Sequence, residues 1–365
     1  MGARAQSMRG VCVFGGHHAG YPRSAVILAG LARLGVSVVS CVENPRKKVV
    51  RRYAGLVRKW RHLDRGFDVV FVPEFRHKDV PLAHLLTRRA GLPCVFDPLV
   101  SRYDTRILDR ADADARGPQA WHNKNLDRVS FALADLILAD TRAHADLFAE
   151  QLAPPDTPIR VLEVGCDDAV FHPAPPPPDA GVATVLFYGS YLPLHGVPVV
   201  VEAAERLRDD PRLRFELVGD GQTRAEVERA VRERRLANIV MTPRVPAAEL
   251  PKRIAGATVC LGIFGSTPKA ARVVPNKVYQ CMGMARAVVT MDSRAVRETF
   301  QVGEEIVATP PGDGEALAFA IRGLIENREY RERVARAGAA RVARDFTPVP
   351  IARRFAAYCE EACAR

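Results

Sequence analysis

The sequence predicts an α/β protein made of two Rossmann-like domains, each a parallel sheet covered by helices on both faces. Three observations carry this. Short apolar strands alternate with amphipathic helices, a proline-rich stretch interrupts the alternation, and the alternation then restarts. A chain of 365 residues is also longer than one hydrophobic core usually serves.

In the first half, Gly10–Phe14, Val36–Cys41, Asp68–Val72, Pro93–Phe96, Leu136–Ala139 and Arg160–Val164 read as buried strands. Helical patterns between them include Arg23–Leu34, Val80–Arg89 and Ala143–Gln151. Phe171–Asp179 then holds five prolines in nine residues, which suits neither a central strand nor a helix interior. It reads as a stiff linker over 173–179. Beyond it, Thr184–Tyr188, Phe215–Val218, Ile239–Met241, Val259–Ile263, Ala287–Thr290 and Ile306–Ala308 are the next strands. Helices are expected at Pro198–Arg208, Arg224–Arg234, Lys277–Met284 and Glu315–Asn327, followed by two closing helices near Tyr330–Asp345 and Val349–Ala364. The expected domains are 1–172 and 180–345, with the last helix, 346–365, packing back on the first. Two such sheets in tandem imply a central cleft lined by the C-terminal ends of their strands.

Composition narrows the function classes. An apolar share of 48% and a charged share of 26% are those of a folded globular chain. No apolar run is long enough to span a bilayer, and the N-terminus lacks the apolar core of a secretory signal, so a cytoplasmic protein is expected. The eight cysteines form no CxxC pair and read as reduced thiols. The formal charge of +11 is concentrated between Arg46 and Arg65, with nine basic residues against the single acid Asp64. Such a run attracts phosphates. It lacks the interleaved aromatics of a single-strand nucleic-acid platform, so no nucleic acid is expected, and peripheral contact with the inner face of a membrane is the favoured use of 46–65.

The first strand ends in Gly15-Gly16-His17-His18, a glycine turn before a helix, which suits a phosphate. The order is not G-x-G-x-x-G, so a nicotinamide cofactor is not favoured. His17 and His18 have no nearby cysteine or carboxylate cluster, and no metal site is expected. Asp112-Ala113-Asp114 forms a D-x-D in a polar loop rather than at a strand end, and carries no metal reading.

Phe187–Val197, with Gly189, Ser190 and His195-Gly196, together with Leu217-Val218-Gly219-Asp220-Gly221, Pro275-Asn276-Lys277 through Thr290, and Thr309-Pro310-Pro311-Gly312-Asp313 before Leu317, resembles the retaining glycosyltransferase family 4 of the GT-B fold. Ile137–Thr141 and Val164–Pro173 occupy the places that the resemblance expects in the first domain. The resemblance implies a metal-independent hexosyltransferase with no cofactor beyond its substrate. The donor would be a nucleotide-diphosphate sugar, and the acceptor a sugar, a lipid-linked or a small molecule. It places Lys277 and His195 as catalytic candidates, and Asp97 joins them because it follows a buried strand and faces the expected cleft, near where the family often has a histidine. The resemblance gives donor contacts to Gly189, Ser190, Gly219, Pro275, Asn276 and Gln280; the first-domain candidates are read from their strand ends, Gly15 and Gly16 for the donor and His17, His18, Arg102 and Asp104 for the acceptor side.

The chemistry agrees with this placement. Departure of a nucleoside diphosphate builds negative charge, and a lysine at a helix start offers a cation beside free backbone N–H groups. Lys269 and Arg272 could add charge, since Ser190 and His195 stand where the family has Arg and Lys. The family's two glutamates would fall on Arg272 and Gln280, neither acidic. A non-catalytic nucleotide-sugar-binding paralogue and a sugar-nucleotide epimerase of the same fold are the alternatives.

Overall fold

The computed structural model describes residues 8–17, 20–177 and 181–365. They form two compact units, one of residues up to Gly165 together with Thr347–Arg365, the other Cys166–Phe346.

The first unit holds six parallel strands: β1 (Gly10–Gly15), β2 (Ser37–Val42), β3 (Val69–Val72), β4 (Cys94–Phe96), β5 (Leu136–Ala139) and β6 (Ile159–Val161). Their order is β2-β1-β3-β4-β5-β6, so the winding reverses between β1 and β3. Strands β1, β3, β4 and β5 are buried along their whole length, as expected of a sheet covered on both faces. The covering helices are α1 (Pro22–Arg33), α2 (Val49–Arg61), α3 (Val80–Ala90), α4 (Pro118–Ala132) and α5 (Arg142–Gln151).

The second unit repeats the plan with β7 (Ala183–Ser190), β8 (Leu213–Asp220), β9 (Ile239–Thr242), β10 (Val259–Leu261), β11 (Ala287–Met291) and β12 (Val307–Thr309). The order β12-β11-β10-β7-β8-β9 places the reversal between β7 and β10, and ligands in open α/β sheets sit beyond the strand ends at such a reversal. Its helices are α6 (Val197–Arg206), α7 (Arg224–Glu233), α8 (Leu250–Gly256), α9 (Asn276–Gly283), α10 (Arg294–Thr299), α11 (Gly314–Glu326) and α12 (Arg328–Asp345). Asp313 caps α11 by accepting from the Ala316 N–H, and Asn327 caps α12 through the Tyr330 N–H.

The last helix, α13 (Pro348–Cys363), belongs to the first unit and packs on α1. A Cβ at Gly30 would lie 2.0 Å from the Pro348 carbonyl oxygen, so the contact requires glycine there.

Two sequence expectations change. The first unit ends at Gly165, not 172. The described part of the proline-rich stretch is not a free spacer: the buried Arg286 guanidinium donates to the carbonyls of Ala174 and Pro175, as well as to Ile254 and Ala255. Proline removes N–H groups but leaves carbonyls, and Arg286 gathers them into the second unit. Seven cysteines are buried, Cys363 is exposed, and all are free thiols.

Candidate active site

At the reversal of the second sheet, β7 ends in Gly189 and Ser190 with Gly189 at φ +147°. Gly219, at φ +141°, pairs beside it, and a Cβ there would meet the Gly189 carbonyl oxygen at 1.8 Å. The two strand ends therefore close together only because Gly219 lacks a side chain, while the bare Gly189 leaves room for Lys277. The turn after β7 brings the His195 ring back, and its Nδ1–H donates to the Ser190 carbonyl. A carbonyl can only accept, so Nδ1 carries the proton.

Helix α9 starts beside this turn. Its N-cap is Pro275, and no side chain caps it. Lys277 is buried, and among the described residues its Nζ has no hydrogen-bond partner. Nζ stands 3.9 Å from the centroid of the Phe187 ring, and a Cβ at Gly189 would lie 2.9 Å from it. Removal from water without a counter-ion penalises the ammonium, and the Lys277 pKa falls to about 7. The Asn276 amide oxygen is likewise buried without a partner. Gln280 lies one turn further on and accepts from the Tyr188 hydroxyl at 2.7 Å. Lys277, Gly189, Ser190, His195 and Gly219 are thus brought together, with Asn276 and Gln280 on the same helix. Arg272 ends a short 3-10 turn before the helix, half-buried, and Lys269 just ahead of it is buried.

The first unit treats its candidates differently. The Gly15–Gly16 turn is not open to a phosphate, because Asp79 fills it. The Gly16 N–H donates to Asp79 Oδ2 at 2.8 Å, and Arg52 Nε donates to Asp79 Oδ1 at 2.8 Å. A protein carboxylate occupies the place where an external anion was expected. Asp97 is also enclosed: it is fully buried and pairs with the equally buried Arg23 at 2.5 Å. Burial pushes Asp97 upward against the pull of Arg23. Glu74 completes the cluster by accepting from the Ser24 hydroxyl at 2.9 Å, and burial with the nearby Asp97 charge lifts it to about 7.

His17 is half-buried, with its N–H on the Gly15 carbonyl; His18 lies outside the described residues. Arg102 and Asp104 sit in a turn organised by Asp127, which accepts from the Ser101 hydroxyl and from the N–H groups of Arg102 and Tyr103. Asp104 itself is buried, and its N–H donates to the Ser101 hydroxyl. The basic run forms α2 and its flanks, with Arg51, Arg58 and Arg61 exposed. Arg52 is not part of that surface, since it is buried against Asp79. Among the described residues no helix is long and apolar enough to cross a membrane.

Comparison with known proteins places this geometry. A family model described as glycosyl transferase 4-like domain matches residues 3–165, and one described as glycosyl transferases group 1 matches residues 182–327. The chain belongs to the GT-B glycosyltransferases of the family 4 type. The glycosyltransferase is 26% identical over 314 residues to the alpha-D-kanosaminyltransferase of Streptomyces kanamyceticus, covering 79% of this chain and 73% of that one. Among solved structures it resembles Alr3699/HepE of Anabaena in complex with UDP-glucose, with a TM-score of 0.72 at 16% identity, covering 97% of this chain and all of that one. It also resembles sucrose-phosphate synthase of Thermosynechococcus elongatus, with a TM-score of 0.71 at 17% identity, covering 98% and 100%. At such identities these two likenesses speak to the fold.

Sequence reasoning missed Tyr188, which holds Gln280, and Phe187, whose ring lies against Lys277. Both lie in the stretch that carries the family resemblance, but the sequence assigns neither a role of its own. It also missed Asp79, Arg23 and Glu74, which lie far along the chain from the groups they engage.

Proposed function

We propose that the protein transfers a hexose-type sugar from a nucleotide-diphosphate sugar to an acceptor hydroxyl, with retention and without a metal ion. The observation that carries the donor reading is Lys277: an unpartnered, buried amine at the start of a helix, beside bare glycine backbone, at the reversal of an α/β sheet. A diphosphate supplies the acceptors that Nζ lacks. As charge grows on the departing diphosphate, the same amine, protonated, and the positive end of α9 stabilise it without needing a cation from solution. Complexes of a structural neighbour with UDP and with UDP-glucose support a nucleotide-sugar donor. The basic helix α2 is the proposed contact with an anionic membrane surface, which suits a lipid-linked acceptor.

A second reading is a binding paralogue without turnover. It is favoured by Gln280 and Arg272, which stand where the family resemblance implies acids, and by the Tyr188 hydroxyl bound to the Gln280 amide oxygen. A panel of nucleotide sugars decides between them. Slow hydrolysis or transfer of one donor is the result expected of an enzyme. Saturable binding with no turnover of any donor would establish the binding protein instead.

A further inference from the structure

Lys277 is cut off from the charges that normally accompany a buried lysine. The titratable and charged groups round it include Tyr279 and Cys281 on its own helix, Lys269 and Arg272 ahead of that helix, Tyr188 on β7, Cys260 on β10 and His195 in the turn after β7. Burial raises Tyr188 and Cys260, which keeps both neutral. Among the described residues no carboxylate lies within ion-pair distance of Nζ. Its Nζ lies over the face of the Phe187 ring, an attraction weaker than that of a counter-ion, and beside the bare Gly189. An ammonium in such a place lacks both water and a counter-ion, whereas a neutral amine forgoes much less.

We propose that at about pH 8 Lys277 stands as a neutral amine in the ligand-free protein and takes up a proton from solvent when the diphosphate of a nucleotide binds. The proposal rests on the donor-site reading given above. The balance is simple: one amine and one proton become an ammonium paired with phosphate oxygens, and no covalent bond to the ligand forms. The direction follows from the environment, because the bound diphosphate supplies the counter-ion that the empty site lacks. The Lys277 pKa of about 7 in the ligand-free protein agrees. Binding is therefore proton-linked. Above about pH 8, where the diphosphate is fully ionised, affinity should fall roughly tenfold per pH unit until the bound-state pKa is reached.

The test is calorimetric titration of the full chain at about pH 8 with UDP, GDP, ADP and dTDP, in HEPES and in Tris. These buffers release a proton with different enthalpies, so the difference in apparent binding enthalpy counts protons taken up. About one proton per nucleotide is expected for the wild type and for His195→Gln, and about none for Lys277→Met. Binding with no proton uptake would overturn the proposal while leaving the donor site standing. Uptake that survives in Lys277→Met and disappears in His195→Gln would also overturn it, by assigning the proton to His195. If none of the four nucleotides binds, the donor-site reading fails and this proposal with it. Should Lys277→Met not fold, the wild type still decides between one proton and none, and His195→Gln still decides whether His195 carries it.

Discussion

Lys277 combines two properties that a surface lysine lacks: it is out of water, and it has no acceptor. If it acts on charge that develops as the donor breaks, its removal should slow turnover more than it weakens donor binding. Lys277→Ala is expected to lower the rate on the true donor by about 100- to 1000-fold, as loss of one preorganised donor to a developing anion does; unchanged steady-state turnover would place Lys277 outside the site. The residue was legible from the Pro275-Asn276-Lys277 helix start, but its environment was not, because Phe187 and Gly189 come from a strand about ninety positions earlier. Asp97 was misread for the same reason, its partner Arg23 being 74 positions away. The cluster round it makes a pH prediction. Glu74 has its pKa raised in the native state from 4.5 to about 7. A raised acid binds its proton more tightly when folded, so its stabilising contribution is complete below about pH 4.5 and is lost as the pH rises through about 7. The loss amounts to about 3 kcal/mol. Glu74→Gln removes that titration. Relative to the wild type, the variant should gain about this much between pH 5 and pH 8 in denaturant unfolding, and an identical pH dependence of the two proteins would refute the assignment.

Among the elements, buried strands were easiest to read, since a parallel sheet covered on both faces leaves continuous apolar runs. Their ends moved by a few residues: the strand expected over 160–164 is Ile159–Val161. Helix α4 was not read at all. Its sequence, PQAWHNKNLDRVSFA, is largely polar, and the reason for its position, Asp127 holding the turn at 101–103, is a tertiary contact with no local signature. Helix α2 was read as a charge run, and its exposed basic face sharpens the membrane test. Val50 is 81% exposed beside Lys48 and Arg51, while Lys47 and Lys59 are partly neutralised by Glu43. The protein should bind phosphatidylglycerol vesicles at low salt and release them as ionic strength rises. Changing Arg51, Arg58 and Arg61 together to Ser should remove most of that binding in a sedimentation assay. Arg52→Ser should leave vesicle binding in place but destabilise the first unit by about 3–5 kcal/mol, because Asp79 then stays buried without its partner. Vesicle binding unaltered by the triple change would show that α2 is simply a solvated helix.

At the scale of the whole molecule, the doubled strand–helix pattern was legible because it is written locally in each segment. The point where the chain first passes from one unit to the other was not, because it depends on which residues gather the intervening carbonyls; the return was expected between 345 and 346. Arg286 draws Ala174 and Pro175 into the second unit, and the passage back falls between Phe346 and Thr347. Phe346 packs against Tyr279 and Phe300 in the second unit, while Phe355 on α13 packs against Phe71 in the first, with ring centroids 5.0 Å apart. Helix α13 is thus distant in sequence from a core that it completes. It buries Ile351, Ala352, Phe355 and Cys359, receives α1 at Gly30, and ties its polar edge to the last strand of that sheet. Tyr358 donates to the Val161 carbonyl at 3.0 Å, and Arg354 pairs with Glu163 at 2.7 Å. Each large apolar side chain returned to water costs about 1.5–3 kcal/mol, and the facing residues of α1 and β3 are uncovered as well. The sum approaches the roughly 5–15 kcal/mol that holds a whole domain folded. A chain ending at Phe346 should therefore lose amide-exchange protection in β1, β3 and α1, while β7, β10 and α9, which have their own sheet and core, keep theirs. Protection of α1 at the full-length level in the shortened chain would mean that the first sheet is stable without its last helix.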